Sequence, residues 1–279
     1  MKKIALIAAA AALTFSAQAL AQDYKKITIA TEGAYAPWNF KDSAGNLVGF
    51  ELDLAKDLCA RMKIECTIVE QAWDGIIPSL QAKKYDVIMA GMSITAKRME
   101  TITFSRDYAA TPGSFVVTKD SPFADFSTSL SALTLDDVSA EERADLDKMI
   151  ATFKGKTIGV QTSTTHENFL REIMGDNVDI RTYDTQENLD LDLQAGRVDA
   201  ALASMSYWVP LLASDKGSDM KLIGPGMTRG PFGAGVGAGI RKEDQKLADM
   251  FTAAINSAIA DGTLKPLAEK WFGFDAAAK

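Results

Sequence analysis

The chain is poor in the groups that mark most chemistry. It has one histidine, His166, and two cysteines, Cys59 and Cys66, among 279 residues. The common metal centres need several His or Cys ligands at set spacing, and no such set occurs. There is no G-x-S-x-G, no P-loop and no dinucleotide fingerprint. Positive charge is also scarce: 30 basic residues face 37 acidic ones, a net of −7. A nucleic-acid partner needs a basic surface and is not expected. Beyond residue 21 no apolar run is long enough to cross a bilayer.

The first residues stand apart. Lys2 and Lys3 precede an Ala-rich apolar run over 4–15, and Ala19-Leu20-Ala21 is a small-x-small cleavage pattern. This predicts a secretory signal peptide at 1–21 and an exported, periplasmic protein. The signal carries two of the 30 basic residues, so 28 remain against 37 acidic, a net of −9. In an oxidising compartment, an even count and close spacing favour one disulfide, Cys59–Cys66. A C-x-x-C redox pair does not fit the spacing.

What is present is a repeated β-α alternation. Strands are predicted at 26–30, 66–69 and 85–90, with helices at 50–62 and 73–81, the second started by Asp74. A second βαβαβ run is predicted from strands at 157–160, 179–183 and 200–203 with helices at 166–174 and 186–195. A strand at 115–118 lies near a change of lobe. Residues 120–149 read as a surface insertion with a solvated acidic face; within it, Ser139 and Glu142 predict a capped helix. A strand at 233–240, helices at 244–259 and 264–271 and a loose Ala-rich tail close the chain. The expected fold is α/β and two-lobed. Each lobe is a mostly parallel sheet flanked by helices, with the ligand in the interlobe cleft. The first lobe takes 22–111 and 229–279, the second 112–228.

Ligands on parallel sheets sit at the carboxyl ends of strands. The loops there carry Glu32, Tyr35 and Trp73, then Ala90, Gly91, Met92 and Ser93 with Arg98 following, then Gln161, Ser163, Thr164 and Thr165, and Ser204. Arg98 can grip a carboxylate with two charge-assisted bonds, helped by amides and hydroxyls near Ser93. Glu32, and Glu51 at the next helix start, can take a cationic end. Tyr35 and Trp73 offer ring faces to an alkyl stem or a cation. His166 reads as a helix-surface residue. No nucleophile or acid–base pair accompanies these groups, so a small-molecule binder without cofactor is expected.

Several segments, taken in order, resemble the periplasmic solute-binding proteins of polar amino-acid uptake systems. They are Gly49-Phe50-Glu51-Leu52-Asp53-Leu54-Ala55, Ile77-Pro78-Ser79-Leu80, Lys84-Tyr85-Asp86, Ser93-Ile94-Thr95-x-x-Arg98, Gly196-Arg197-Val198-Asp199 and Gly239-Ile240-Arg241-Lys242-Glu243-Asp244. The resemblance implies a monomer whose lobes close on a ligand and then dock on an inner-membrane ABC permease. It implies that Arg98, Ser93 and Thr165 hold the α-carboxylate, that Tyr35 stacks, and that Glu32 and Glu51 hold a cationic side chain. It also implies a disulfide at the Cys59/Cys66 spacing. Where the family usually has an acid for the α-ammonium, this chain has Ser204. Together with Glu70–Ile77, Gly159-Val160-Gln161 and the segment before Thr157, that resembles the opine-binding branch. The implied ligand is an arginine-derived opine of octopine or nopaline type. Free arginine, lysine, ornithine or histidine is the alternative, and a cyclohexadienyl dehydratase-like enzyme a remoter one.

Overall fold

Two β-sheets flanked by helices organise the computed structural model, which describes residues 24–279. The expected signal peptide lies outside the described residues. In the first sheet, Lys26–Thr31 sits between Glu65–Glu70 and Val87–Ile88, all parallel. Parallel neighbours need crossovers, and helices Phe50–Met62 and Ile76–Gln81 supply them. Val236–Arg241 and Ile102–Ala109 extend the sheet antiparallel. In the second sheet, Thr157–Gln161 lies between Asp179–Tyr183 and Ala200–Ser204, again parallel. Gly113–Thr118, Met220–Thr228 and Ala132–Thr134 complete it. The chain passes between the sheets after Ala109 and returns between Thr228 and Val236. The result is a two-lobed α/β fold with the parallel strand ends of both sheets turned to one cleft.

The helix Phe50–Met62 forms because Phe50, Leu54 and Leu58, with Ala55 and Cys59, recur on one face and are buried. Lys63 ends it in a left-handed conformation, φ 57°. The Cys59–Cys66 disulfide then ties this helix to the strand Glu65–Glu70. The capping box of Ser139 and Glu142 starts the helix Ala140–Phe153, as expected.

Four expectations need correction. Asp74 does not cap a helix from 73. Gly75, at φ 84°, takes the N-cap position, the helix spans only Ile76–Gln81, and Trp73 is left free to face the cleft. The segment 120–149 is more than a surface insertion. Ala132–Thr134 is an edge strand, and Leu133, Leu135, Leu146 and Met149 are buried in the second lobe's core. Asp145, on the face expected to be solvated, is buried and accepts from Ser129 and Leu130 amides. A helix at Met205–Leu212, with Ser204 in the N-cap position but no side-chain capping bond, was not expected. Nor is the tail loose: Ala276 O accepts from Ala110 N at 2.9 Å, and Ala278 N donates to Tyr108 O at 3.1 Å.

A buried Arg241 staples the first lobe. Its guanidinium bonds Asp244 at 2.6 Å, Asp86 at 2.8 Å and the Tyr85 carbonyl. Two of the sequence segments that carry the resemblance, 84–86 and 239–244, are therefore physical partners.

Candidate functional site

Residues from both sheets meet around a cavity of about 30 Å³. The first lobe supplies Glu32, Tyr35, Trp38, Trp73, Ala90, Gly91, Ser93 and Arg98; the second supplies Gln161, Thr164, Thr165, His166, Gln186 and Ser204. Gly91 turns the loop after the third strand with φ +62°, a conformation that favours glycine. The nearest atoms a Cβ there would meet are in the Tyr35 and Trp38 rings, from 3.6 Å. Gly159 lets the helix Gln186–Gln194 press onto the strand that ends at Gln161, since a Cβ there would lie 2.1 Å from Leu189 Cδ1. Thr164 caps the helix Thr165–Phe169 and donates to Gln161 O at 2.7 Å, which fixes the loop between them.

Several hydrogen bonds join the two lobes around the cavity, among them Trp38 Nε1 to Ser206 Oγ at 2.9 Å. Gln161 Nε2 donates to Glu32 Oε1 at 2.7 Å, Trp73 Nε1 to Thr162 O at 3.0 Å, and an Arg98 Nη to Ser163 O at 3.3 Å. Tyr35 stacks on Tyr207 of the other lobe, ring centres 5.0 Å apart. Arg98 also donates to Ser93 O at 2.9 Å and lies 5.3 Å from the centre of the Trp73 ring.

The electrostatics are unusual in one respect. Glu32 is only 5% exposed, and its partner is a neutral amide. Burial pushes its carboxyl up to about 7; Gln161 opposes this, and Glu51 and Glu187 add to it. Arg98 contacts two carbonyls and a ring, and forms no ion pair among the described residues. Burial lowers its guanidinium to about 10, so it stays charged at neutral pH. Neither charge is among the causes of the other's shift. One cleft thus holds a carboxyl that ionises near neutral pH and a cation, each without a counter-ion among the described residues. Such charges are costly unless something of opposite sign pairs with them.

Most of the expected residues line the cavity, but three do not. Met92 is fully buried in the first lobe. Ser163 points outward with φ +59° and reaches the site only through its carbonyl. Glu51 is 1% exposed and turned away from the cavity; its oxygens accept from Asn39 Nδ2 at 2.7 Å, from Gly91 N at 2.7 Å and from Tyr108 OH. Of Glu32 and Glu51, only Glu32 lines the cavity. Conversely, His166 is in the cavity wall, not on the helix surface, with Nε2 3.4 Å from Ser204 Oγ. Burial, then Arg98, lowers its imidazole to about 3, so it is neutral at physiological pH. Gln186 and Trp38 were also missed. The only available signal for Gln186 was its place after the strand end at Tyr183.

Comparison with known proteins agrees with this geometry. The model of bacterial extracellular solute-binding proteins, family 3, matches residues 27–274. An octopine-binding periplasmic protein of Rhizobium meliloti is 44% identical over 96% of this chain and 97% of its own. A histidine-binding periplasmic protein of Salmonella typhimurium is 38% identical over 99% and 98%. A solved structure of a periplasmic His/Glu/Gln/Arg/opine family-binding protein from Silicibacter pomeroyi, in complex with lysine, superposes with a TM-score of 0.72 at 35% identity, covering 91% of this chain and all of that one. Each is named as a binding protein and none as an enzyme. With a match across nearly all the described residues, the chain belongs to the bacterial extracellular solute-binding proteins, family 3.

Proposed function

We propose that the cleft binds an arginine-derived opine of the octopine type. The observation that carries this reading is the unpaired pair of charges. Glu32 suits a guanidinium, and Arg98, with Ser93 and Thr165 beside it, suits a carboxylate. A ligand with a cation at one end and a carboxylate at the other satisfies both. Trp73 and Tyr35 flank the space between with ring faces for an alkyl stem.

A second cavity favours an N-substituted amino acid over a free one. It holds about 310 Å³ and shares Ser93, Thr165, His166 and Ser204 with the cleft. It runs toward the two interlobe crossings, where Arg229 has no ion pair among the described residues. No acid stands at Ser204 to hold a primary ammonium. Asp107 lines the cavity too, but lies 3.6 Å from Arg106. An extra carboxylate on the α-nitrogen, as in an opine, has room and a cation there.

Binding proceeds by lobe closure without chemistry. A cavity of about 30 Å³ cannot take a ligand whose pocket needs roughly 300 Å³ or more. The lobes therefore open about the crossings at 109–113 and 228–236, and the cross-cleft bonds at Gln161, Trp73 and Arg98 yield to ligand groups. The protein is exported by its signal peptide at 1–21, works as a monomer, and delivers its ligand to an inner-membrane ABC permease. The first lobe is 22–111 with 229–279, the second 112–228.

Calorimetry with octopine, nopaline, arginine and lysine tests the ligand. Octopine is expected to bind tightest. Tight lysine binding with no response to either opine overturns the opine reading in favour of free basic amino acids. Turnover of prephenate or arogenate overturns the binding reading altogether.

A further inference from the structure

Glu51 lines neither of the two cavities described above, yet three segments of the first lobe converge on it. Its Oε1 accepts from the backbone N–H of Gly91, in the loop that presents Ser93, and from Tyr108 OH, one residue before the chain leaves the lobe. Its Oε2 accepts from Asn39 Nδ2, and Asn39 Oδ1 accepts from Gly33 N at 2.8 Å, next to Glu32. Asn39 is wholly buried. No cation touches this carboxylate among the described residues; three neutral donors hold it. We propose that Glu51 is a positioning residue: it sets the spacing between the anion anchor at Ser93–Arg98 and the cation anchor at Glu32, and so the length of ligand that satisfies both. The inference rests on the two-anchor reading of the cleft.

The geometry offers a reversal that tests this. In Glu51→Gln, the new side chain's oxygen can keep Gly91 N and Tyr108 OH. Its amide then faces the Asn39 amide, donor against donor. If Asn39 flips to accept, it turns its own donor on Gly33 N–H. One of the two bonds is lost in either case. Adding Asn39→Asp removes the conflict. The carboxylate introduced at position 39 accepts from the amide introduced at position 51 on one oxygen, and from Gly33 N–H on the other. The double variant keeps every bond and moves the charge by one residue contact.

Amide exchange read by NMR at Gly33 and Gly91, with calorimetry on arginine and octopine, decides the matter. In E51Q, exchange at Gly33 is expected to quicken and affinity to fall about tenfold, the scale of one lost hydrogen bond to a charged group. In N39D/E51Q both are expected to recover. Tyr108→Phe removes a donor but leaves the links to Gly33 and Gly91, so it should lower the melting temperature with affinity within about twofold. Should E51Q fail to fold, N39D/E51Q against wild type and Y108F carries the same comparison. The proposal is overturned if Gly33 exchange and affinity are unchanged in E51Q, if the double variant does not recover them, or if Y108F loses as much affinity as E51Q. A wild type that binds neither probe counts against the two-anchor reading, while the amide exchange still reports on the linkage.

Discussion

Glu32 should make ligand affinity depend on pH, and the structure gives the size of the effect. Its carboxyl rises from 4.5 to about 7 because the closed cleft strips it of water. A cationic ligand end pairs only with the ionised form. Under that condition the apparent affinity follows the ionised fraction, which is about 0.9 at pH 8 and about 0.01 at pH 5, a change of roughly 90-fold. Binding at pH 6 should release close to one proton, visible as a dependence of the calorimetric heat on the buffer. Stability without ligand runs the other way. A carboxyl whose folded pKa is raised holds its proton more tightly in the folded state. Its contribution is therefore complete below about 4.5 and is lost as pH rises through about 7. Each pKa step is worth about 1.4 kcal/mol, so the ionised form costs the ligand-free protein on the order of 3 kcal/mol at pH 8. Glu32→Gln removes that cost. It should melt higher than wild type at pH 8 and alike at pH 4, while losing affinity for arginine and the pH slope together. His166 is neutral throughout this range, and Asp190, raised to about 6 by burial, titrates in both proteins. A wild-type affinity that is flat from pH 5 to 8, or an E32Q slope equal to the wild type's, refutes the argument.

Arg98→Ala should weaken arginine and octopine by about 2–5 kcal/mol in calorimetry, because the ligand carboxylate is left buried and unpaired. The ligand-free melting temperature should hold or rise, since Arg98 pairs with no anion among the described residues. Arg241→Ala should do the opposite. It strands Asp86 and Asp244, so chemical denaturation should show a loss of about 3–5 kcal/mol, with affinity unchanged wherever the protein is folded. Reduction of Cys59–Cys66, seven residues apart, should cost about 2 kcal/mol of stability by denaturation and leave ligand affinity alone.

How much was legible in the sequence depended on the range of the interaction. The helix Phe50–Met62 follows from periodicity, which is local, and formed as read; the helix from Ala140 follows from its capping box but runs to Phe153, past the expected end at Met149. The parallel order follows from the alternation of strand and helix. The errors fall where distant partners decide. Tail pairing depends on Tyr108 and Ala110, more than 160 positions away. His166 belongs to the cleft because Ser204, 38 positions on, lies beside it. Glu51 was assigned to the ligand because an acid at a helix start gives no hint of Gly91 and Tyr108 as partners. Arg98 and Glu32 were legible as charges at strand ends. That each lacks a counter-ion was not, since only the folded chain shows which groups stay unpaired.

The pinned tail has a practical consequence. Ala277 bridges Ala109, and Arg106 donates to the Lys279 carbonyl at 2.8 Å, so the last residues lie against the strand that leads into the first interlobe crossing. Whatever is attached at the carboxyl terminus is attached beside the pivot. An affinity tag there competes with native backbone pairing. An environment-sensitive dye on a cysteine introduced in this tail would sit beside an interlobe crossing, a natural place to build an optical sensor if the lobes turn there on binding as proposed.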